Sequence, residues 1–147
     1  MDLITHGLVP TLLTLTTYIA YRPLSLDALI LSLIVFTSSI TSELLQEIRD
    51  LSINSRNTVK YLGVNVCKDL ILTLVITTSV LYVLLTLSRY DLNYLAIYSP
   101  LTYFIIEPVI RFRDNYLSVE DVMSKLRFRT TLLVTLVLTT YVVLSIS

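Results

Sequence analysis

The sequence predicts an all-α membrane protein: a polytopic helical bundle of about five transmembrane helices with a short cytoplasmic amphipathic helix. Of the 147 residues, 54% are hydrophobic and 15% are charged, whereas a soluble domain carries about 25% charged residues. The mean hydropathy is +0.76. Long runs rich in Leu, Ile, Val and Thr lie between clusters of basic residues, a pattern typical of a chain that crosses a bilayer several times.

Five segments are long enough to cross the bilayer, which takes about 20 mostly apolar residues. They cover about residues 3–21, 26–45, 70–88, 92–110 and 130–147 of one transmembrane domain, 1–147. In the first segment we expect Pro10 at the first turn or at a kink, and the segment ends at Arg22 and Pro23. The second starts near Ser25 and is expected to continue as a helix to Ile48.

The third segment is uninterrupted, and the fourth is expected to end at Glu107 and Pro108. Between the fourth and fifth, residues 113–129 are expected to form the amphipathic surface helix. Ser118 with Asp121 resembles an N-cap and the start of a capping box. The basic end of this helix is expected to rest on anionic headgroups.

The basic residues predict the orientation. Arg22 and Arg89 stand alone in two short connections, whereas the other nine of the eleven Lys and Arg residues fall in two longer loops, 44–69 and 111–129. These nine are Arg49, Arg56, Lys60 and Lys68 in the first loop and Arg111, Arg113, Lys125, Arg127 and Arg129 in the second. Cytoplasmic loops carry the excess of basic residues. The sequence therefore predicts an integral protein of the cytoplasmic membrane, with its N-terminus in the cytoplasm and its C-terminus outside.

Composition excludes several classes of site. The formal net charge is zero, so we expect no nucleic-acid partner. Cys67 is the single cysteine and His6 the single histidine, which excludes an internal disulfide framework and a multi-histidine metal site. The two glycines rule out a Gly-rich phosphate loop. The expected partners are lipids and other membrane subunits, or a second copy of the chain in a homo-oligomer.

The segment with the most candidate ligand-binding side chains begins at the cytoplasmic end of the second span. Glu43, Glu47 and Asp50 are spaced by four and three residues and lie on one face of a helix. The polar residues that follow them are Asn54, Arg56, Asn57 and Lys60. Carboxylates at this position can bind Mg²⁺, and the basic residues can engage phosphate. A solvated helix end whose charges pair with each other is the alternative.

The same segment, SELLQEIRDLSINSRNTVKYLG (residues 42–63), resembles the second aspartate-rich motif of the UbiA-type intramembrane prenyltransferases. In that family the acids of the motif bind Mg²⁺ and, through it, the diphosphate of an isoprenyl donor. Asp50 matches the first aspartate, Asn54 stands where the next aspartate is expected, and Thr58 matches the threonine of the motif. The segment LSVEDVMSKLRFR before the final helix is similar to the last cytoplasmic loop of the family.

The resemblance covers nearly the whole chain but only the C-terminal half of a family member. Family members have nine helices and a first aspartate motif, which this sequence lacks. With Asn54 in place of an acid, a magnesium site here is weakened. The resemblance therefore implies a non-catalytic accessory or structural subunit of a larger membrane complex, built on a UbiA-like half fold. A respiratory assembly is one candidate, because the family includes the synthase that farnesylates haem.

The alternative is an enzyme, one half of a split prenyltransferase whose first aspartate motif lies on another polypeptide. Magnesium is a cofactor only under this alternative. The resemblance then implies that metal and diphosphate are held by Asp50, Asn54, Glu47, Glu43, Arg56 and Lys60. No catalytic residue is assigned, and a non-enzymatic role is favoured.

Glu107 is a further candidate, because an ionisable residue at membrane depth is often functional. Arg111 follows it by four residues, which predicts a structural ion pair within one helix. A proton or ion channel is a third hypothesis, but it would need acids along a path, and the spans offer hydroxyl groups instead.

Overall fold

The computed structural model describes residues 2–51, 58–89 and 93–146, and within these ranges the chain is helical with no strand. The helices are α1 Asp2–Tyr21, α2 Leu26–Arg49, α3 Thr58–Leu62, α4 Val64–Arg89, α5 Asn93–Arg113 and α6 Val119–Ile146. Three of them contain stretches long and apolar enough to cross a membrane: Leu3–Tyr21, Leu26–Arg49 and Val64–Leu87. The helical membrane class predicted from the sequence is therefore supported.

The connection between α1 and α2 follows the predicted signals. α1 ends at Tyr21, two residues before Pro23, because the residue before a proline disfavours the helical conformation. Ser25 caps α2, and its hydroxyl oxygen accepts a hydrogen bond from the backbone N–H of Ala28 at 3.3 Å. α2 then continues without interruption to Arg49, so the predicted extension to Ile48 is confirmed.

The two basic regions are largely helical in their described parts, so the helix predicted within residues 113–129 is present, but the prediction of a separate surface helix was wrong. α4 begins at Val64, so Lys68 lies inside a helix, and only residues 114–118 separate α5 from α6. The residues predicted as a separate surface helix form the first turns of α6, which continues to Ile146. Helices can extend past the hydrocarbon layer because their backbone hydrogen bonds are satisfied internally, so the end of an apolar run does not mark the end of a helix.

The cap predicted at the start of this helix is present. The Ser118 hydroxyl oxygen accepts a hydrogen bond from the Asp121 backbone N–H at 3.1 Å, and the hydroxyl group donates to the Asp121 carboxylate at 2.9 Å. A side-chain acceptor at this position satisfies one of the unpaired N–H groups of the first turn. The sequence signal therefore located the beginning of α6.

Three prolines lie inside helices, Pro10 in α1 and Pro100 and Pro108 in α5, and the expected end at Glu107 and Pro108 was wrong. Pro10 is well within α1 rather than in its first turn, and α5 continues past Pro108 to Arg113. A proline lacks the N–H that would bond to the carbonyl four residues earlier, which for Pro108 is the carbonyl of Phe104. The guanidinium of Arg129 on α6 donates a hydrogen bond to this carbonyl instead, so a neighbouring helix supplies the missing donor.

The helices pack in a chain of neighbours. α1 packs on α2, α2 on α4, α4 on α5 and α5 on α6, and α6 also contacts α2. The buried apolar residues of the described part concentrate where α2 and α5 end and α4 and α6 begin. They are Ile40, Leu44, Leu45, Val59, Cys67, Ile71, Val75, Val109, Phe112 and Val122. Among the residues whose burial is described, the best-packed ones therefore lie at the end that carries the basic residues.

A close approach at a glycine and a hydrogen bond between two hydroxyl groups position α1, α2 and α4. Gly7 lets α1 approach α2 closely, because a Cβ atom at this position would lie 2.7 Å from the ring of Phe36 and 2.9 Å from Ile40. Thr37 on α2 and Thr78 on α4 share a hydrogen bond of 2.7 Å between their hydroxyl groups. Small and hydroxyl residues permit such close helix packing in membranes.

Candidate functional site

The three acids at the end of α2 have different partners. Glu43 lies 3.4 Å from Nδ1 of His6 on α1. Glu47 accepts hydrogen bonds from the hydroxyl group of Thr58 and the backbone N–H of Val59, both at 3.2 Å, and so caps the N-terminus of α3. The shared helix face that the sequence predicts therefore directs these two carboxylates to two different helices.

Asp50 ends α2 and pairs with its chain neighbour. Its carboxylate accepts hydrogen bonds from the guanidinium of Arg49 at 2.8 and 3.1 Å. This hydrogen bonding lowers the pKa of Asp50 below its ordinary value. The pair is exposed, so its contribution to stability is small.

Of the remaining candidates of this segment, only Lys60 belongs to the described residues. Lys60 is exposed on α3, and Asn54 and Arg56 lie outside the described residues. Within the part of the chain that the structure describes, no three His, Cys, Asp or Glu side chains are close enough to hold a metal ion together.

Glu107 belongs to a cluster of charges that joins α5 to α6. Its Oε1 atom lies 2.5 Å from Nε of Arg111, the pair that the spacing predicts. Its Oε2 atom accepts a hydrogen bond of 2.7 Å from Arg129 of α6, and the Arg129 guanidinium also lies 4.0 Å from the centre of the Phe104 ring. Arg129 thus binds a carboxylate, a ring and a free carbonyl group of α5, an arrangement that ties two helices together.

Lys68 is a buried cation with a neutral acceptor. Its side chain is 8% exposed, and its Nζ atom donates a hydrogen bond of 2.6 Å to Oδ1 of Asn115. The same ammonium group lies 4.6 Å from the centre of the Phe112 ring. Asn115 has a positive φ of 65° and ends α5 in a Schellman motif, in which Tyr116 N–H donates to the Arg111 carbonyl at 2.8 Å.

Replacement of Asn115 with glycine is expected to destabilise the protein by about 1 kcal/mol. Glycine adopts a positive φ freely, so the backbone turn is kept while Lys68 loses its acceptor, and a hydrogen bond to a charged group contributes about 1.5–3 kcal/mol. The measurement is the free energy of unfolding in mixed micelles. In a Lys68→Met background the same replacement should be neutral or stabilising, and an equal loss in both backgrounds would contradict this account.

A cavity of about 340 Å³ lies among α2, α4, α5 and α6. Ser38, Ser42 and Gln46 line it from α2, and Arg127 and Thr130 line it from α6. Hydroxyl and apolar side chains form the rest of its wall, and they are Thr41, Leu45, Val75, Thr78, Ser79, Tyr82, Ile105, Met123, Leu126 and Thr131. A volume of this size is at the lower end of the range for small-molecule sites, about 300–1,000 Å³.

Sequence reasoning missed this cavity and the role of Arg129. Ser38, Ser42 and Gln46 recur every four residues along α2, which is a signal for a polar row on an apolar helix. No such spacing connects α2 to α6, so the cavity itself could not be predicted. Arg129 carried no local signal either, because its partners lie 22 to 25 residues earlier in the chain.

Comparisons of the chain with family models, curated proteins and solved structures found no match. The resemblance to the UbiA-type prenyltransferases therefore stays a prediction.

Proposed function

We propose that this chain is a non-catalytic subunit of a larger membrane complex, with five helices across the cytoplasmic membrane, the N-terminus in the cytoplasm and the C-terminus outside. The basic residues at one end of the bundle support this orientation. A UbiA-like half fold is the architecture that the sequence favours, and a respiratory assembly is one candidate for the complex.

The observation that carries this proposal is the position of α1. Only 6% of its apolar stretch is buried, and α1 packs mainly on α2. Its outward residues are large and apolar, and they include Leu12 and Leu13, which are 56% and 67% exposed. Transmembrane helices associate through side-chain packing, so this helix offers a full face to a partner subunit.

The placement of the acids also supports a subunit without catalytic function. Glu43 and Glu47 contact α1 and α3, and Asp50 pairs with Arg49. The contacts of Glu43 and Glu47 join helices, and all three contacts engage carboxylates that a diphosphate–magnesium site would use.

The test is purification of the native protein in a mild detergent, followed by mass spectrometry and measurement of the complex mass. We expect one or more membrane subunits in fixed ratio with the wild-type chain, and their loss in the variant Leu12→Ala, Leu13→Ala. The matched control is Ile76→Ala, Val80→Ala, which truncates two exposed residues of α4 and should keep the partners. A chain that purifies alone, or that loses its partners equally in both variants, would contradict the proposal.

The second candidate function is one half of a split prenyltransferase. It is favoured by the cavity among α2, α4, α5 and α6, which lies near the end of α2 that carries Asp50. Under this alternative, binding of an isoprenyl diphosphate requires Mg²⁺ and disappears in Asp50→Ala. Binding that is unchanged in this variant, or that needs no Mg²⁺, would count against the enzyme.

A further inference from the structure

Six polar side chains with no hydrogen-bonding partner among the described residues converge on the cavity from three helices. They are Ser38, Ser42 and Gln46 of α2, Tyr82 of α4, and Arg127 and Thr130 of α6. Five of the six residues are exposed and Tyr82 is half-buried, so a molecule in the cavity can reach their polar groups. Their convergence on one space points to a polar ligand that binds several of them at once.

The hydroxyl groups that line the cavity are of two kinds. Thr41 and Ser79 donate hydrogen bonds to carbonyls of their own helix, at 2.8 and 2.9 Å, as hydroxyl residues in membrane helices commonly do. Ser42 and Thr130 line the same cavity without such a bond among the described residues. Their hydroxyl groups are therefore available to a molecule in the cavity.

Arg127 is the charged member of this set. Arg111 and Arg129 both pair with Glu107, and Arg113 pairs with Asp69 at 2.6 Å. Arg127 pairs with no carboxylate in the part of the chain that the structure describes, and it is an exposed residue that lines the cavity. A guanidinium in this position offers several donors to a phosphate group.

In the orientation proposed above, the cavity lies near the cytoplasmic surface of the membrane, where the phosphates of the lipids are found. Arg127 is eight residues after Val119, the first residue of α6, and Ser42 is seven residues before Arg49, the last residue of α2. At 1.5 Å per residue, both lie about 10–12 Å from the basic end of the bundle. A charge at this depth is costly without a counter-ion, and the nearest abundant anions are the phosphates of the surrounding lipids.

We propose that this cavity holds one anionic phospholipid. Its phosphate binds the guanidinium of Arg127 and accepts hydrogen bonds from Ser42 and Thr130, and one acyl chain packs on Leu45 and Leu126. The volume of about 340 Å³ accommodates the headgroup and the first part of one chain, and the rest of the lipid extends out of the cavity. This site is independent of the proposed subunit role, since its ligand is a lipid rather than a protein.

The experiment is native mass spectrometry of the full chain, extracted in mild detergent and supplied with phosphatidylglycerol or phosphatidylcholine. We expect one phosphatidylglycerol to remain bound per chain and phosphatidylcholine to be lost. Arg127→Gln should weaken retention at least about tenfold, because it removes charge-assisted hydrogen bonds. Lys125→Gln is the matched control, since it removes the same charge two residues away on the same helix without altering the cavity lining, and it should retain the lipid.

A second variant, Ser42→Phe, fills the cavity and should also abolish retention, with the unfolding temperature measured to verify that the variant is folded. Equal loss in Arg127→Gln and Lys125→Gln would overturn the proposal in favour of general surface attraction. Displacement of the lipid by inorganic phosphate alone would assign the site to a free anion and would overturn the proposal of a bound phospholipid. Preferential retention of an isoprenyl diphosphate would also overturn it, and would favour the split prenyltransferase.

Discussion

Replacement of Arg129 with alanine is expected to destabilise the bundle by about 2–4 kcal/mol. The side chain is 16% exposed and pairs with Glu107 across the interface between α5 and α6. Its loss leaves the Phe104 carbonyl without the donor that Pro108 cannot supply. The free energy of unfolding in mixed micelles measures this effect.

The exposed pair of Asp69 and Arg113 is the matched control. It joins α4 to α5 at 2.6 Å, but its side chains are 58% and 51% exposed, so Arg113→Ala should cost less than about 1 kcal/mol. Similar losses of unfolding free energy in Arg113→Ala and Arg129→Ala would show that neither the burial of Arg129 nor its bond to the Phe104 carbonyl contributes to stability.

The role of the free carbonyl can be separated from that of the ion pair. In an Arg129→Ala background, Pro108→Ala restores a backbone N–H that can bond to the Phe104 carbonyl. We therefore expect the double variant to be more stable than the sum of the single variants predicts, by about 1 kcal/mol. Simple additivity would show that Arg129 does not replace the helical hydrogen bond.

Replacement of Gly7 with leucine is expected to separate α1 from α2 and to destabilise the protein by about 1–3 kcal/mol. Even a Cβ atom at this position would lie 2.7 Å from Cε2 of Phe36 and 2.9 Å from Cγ1 of Ile40, so a larger side chain cannot fit without moving a helix. Gly7→Ala should also lower the free energy of unfolding, but by a smaller amount. Unfolding in mixed micelles ranks the variants.

The control for Gly7→Leu is Ala20→Leu, which adds the same side chain at an exposed position of α1 and should be neutral. Spin labels at Leu12→Cys and Leu33→Cys, in a Cys67→Ala background, report the distance between the helices. This distance should increase in Gly7→Leu and stay constant in Ala20→Leu. An unchanged distance in both variants would show that α1 accommodates the larger residue.

The helical content, the start of α2 at Ser25 and the start of α6 at Ser118 could all be predicted from local signals. An N-cap, a proline after a helix and a long apolar run each act through residues close in the sequence. The pairing of Glu107 with Arg111 is equally local, because residues four apart meet on one helix face. The ends of the helices near the basic residues were not predictable in this way, since helices continue past the apolar runs that define the spans.

The sequence by itself determined the helical membrane class, the positions of the caps and the polar row of Ser38, Ser42 and Gln46. Only the tertiary structure decided which carboxylate faces which helix, that Arg129 satisfies the Phe104 carbonyl, and that Arg127 lines a cavity together with residues of α2. The physical reason is the distance along the chain over which each kind of interaction acts. Backbone preferences act within about one helical turn, whereas a partner on another helix depends on how the helices cross and rotate when their side chains pack.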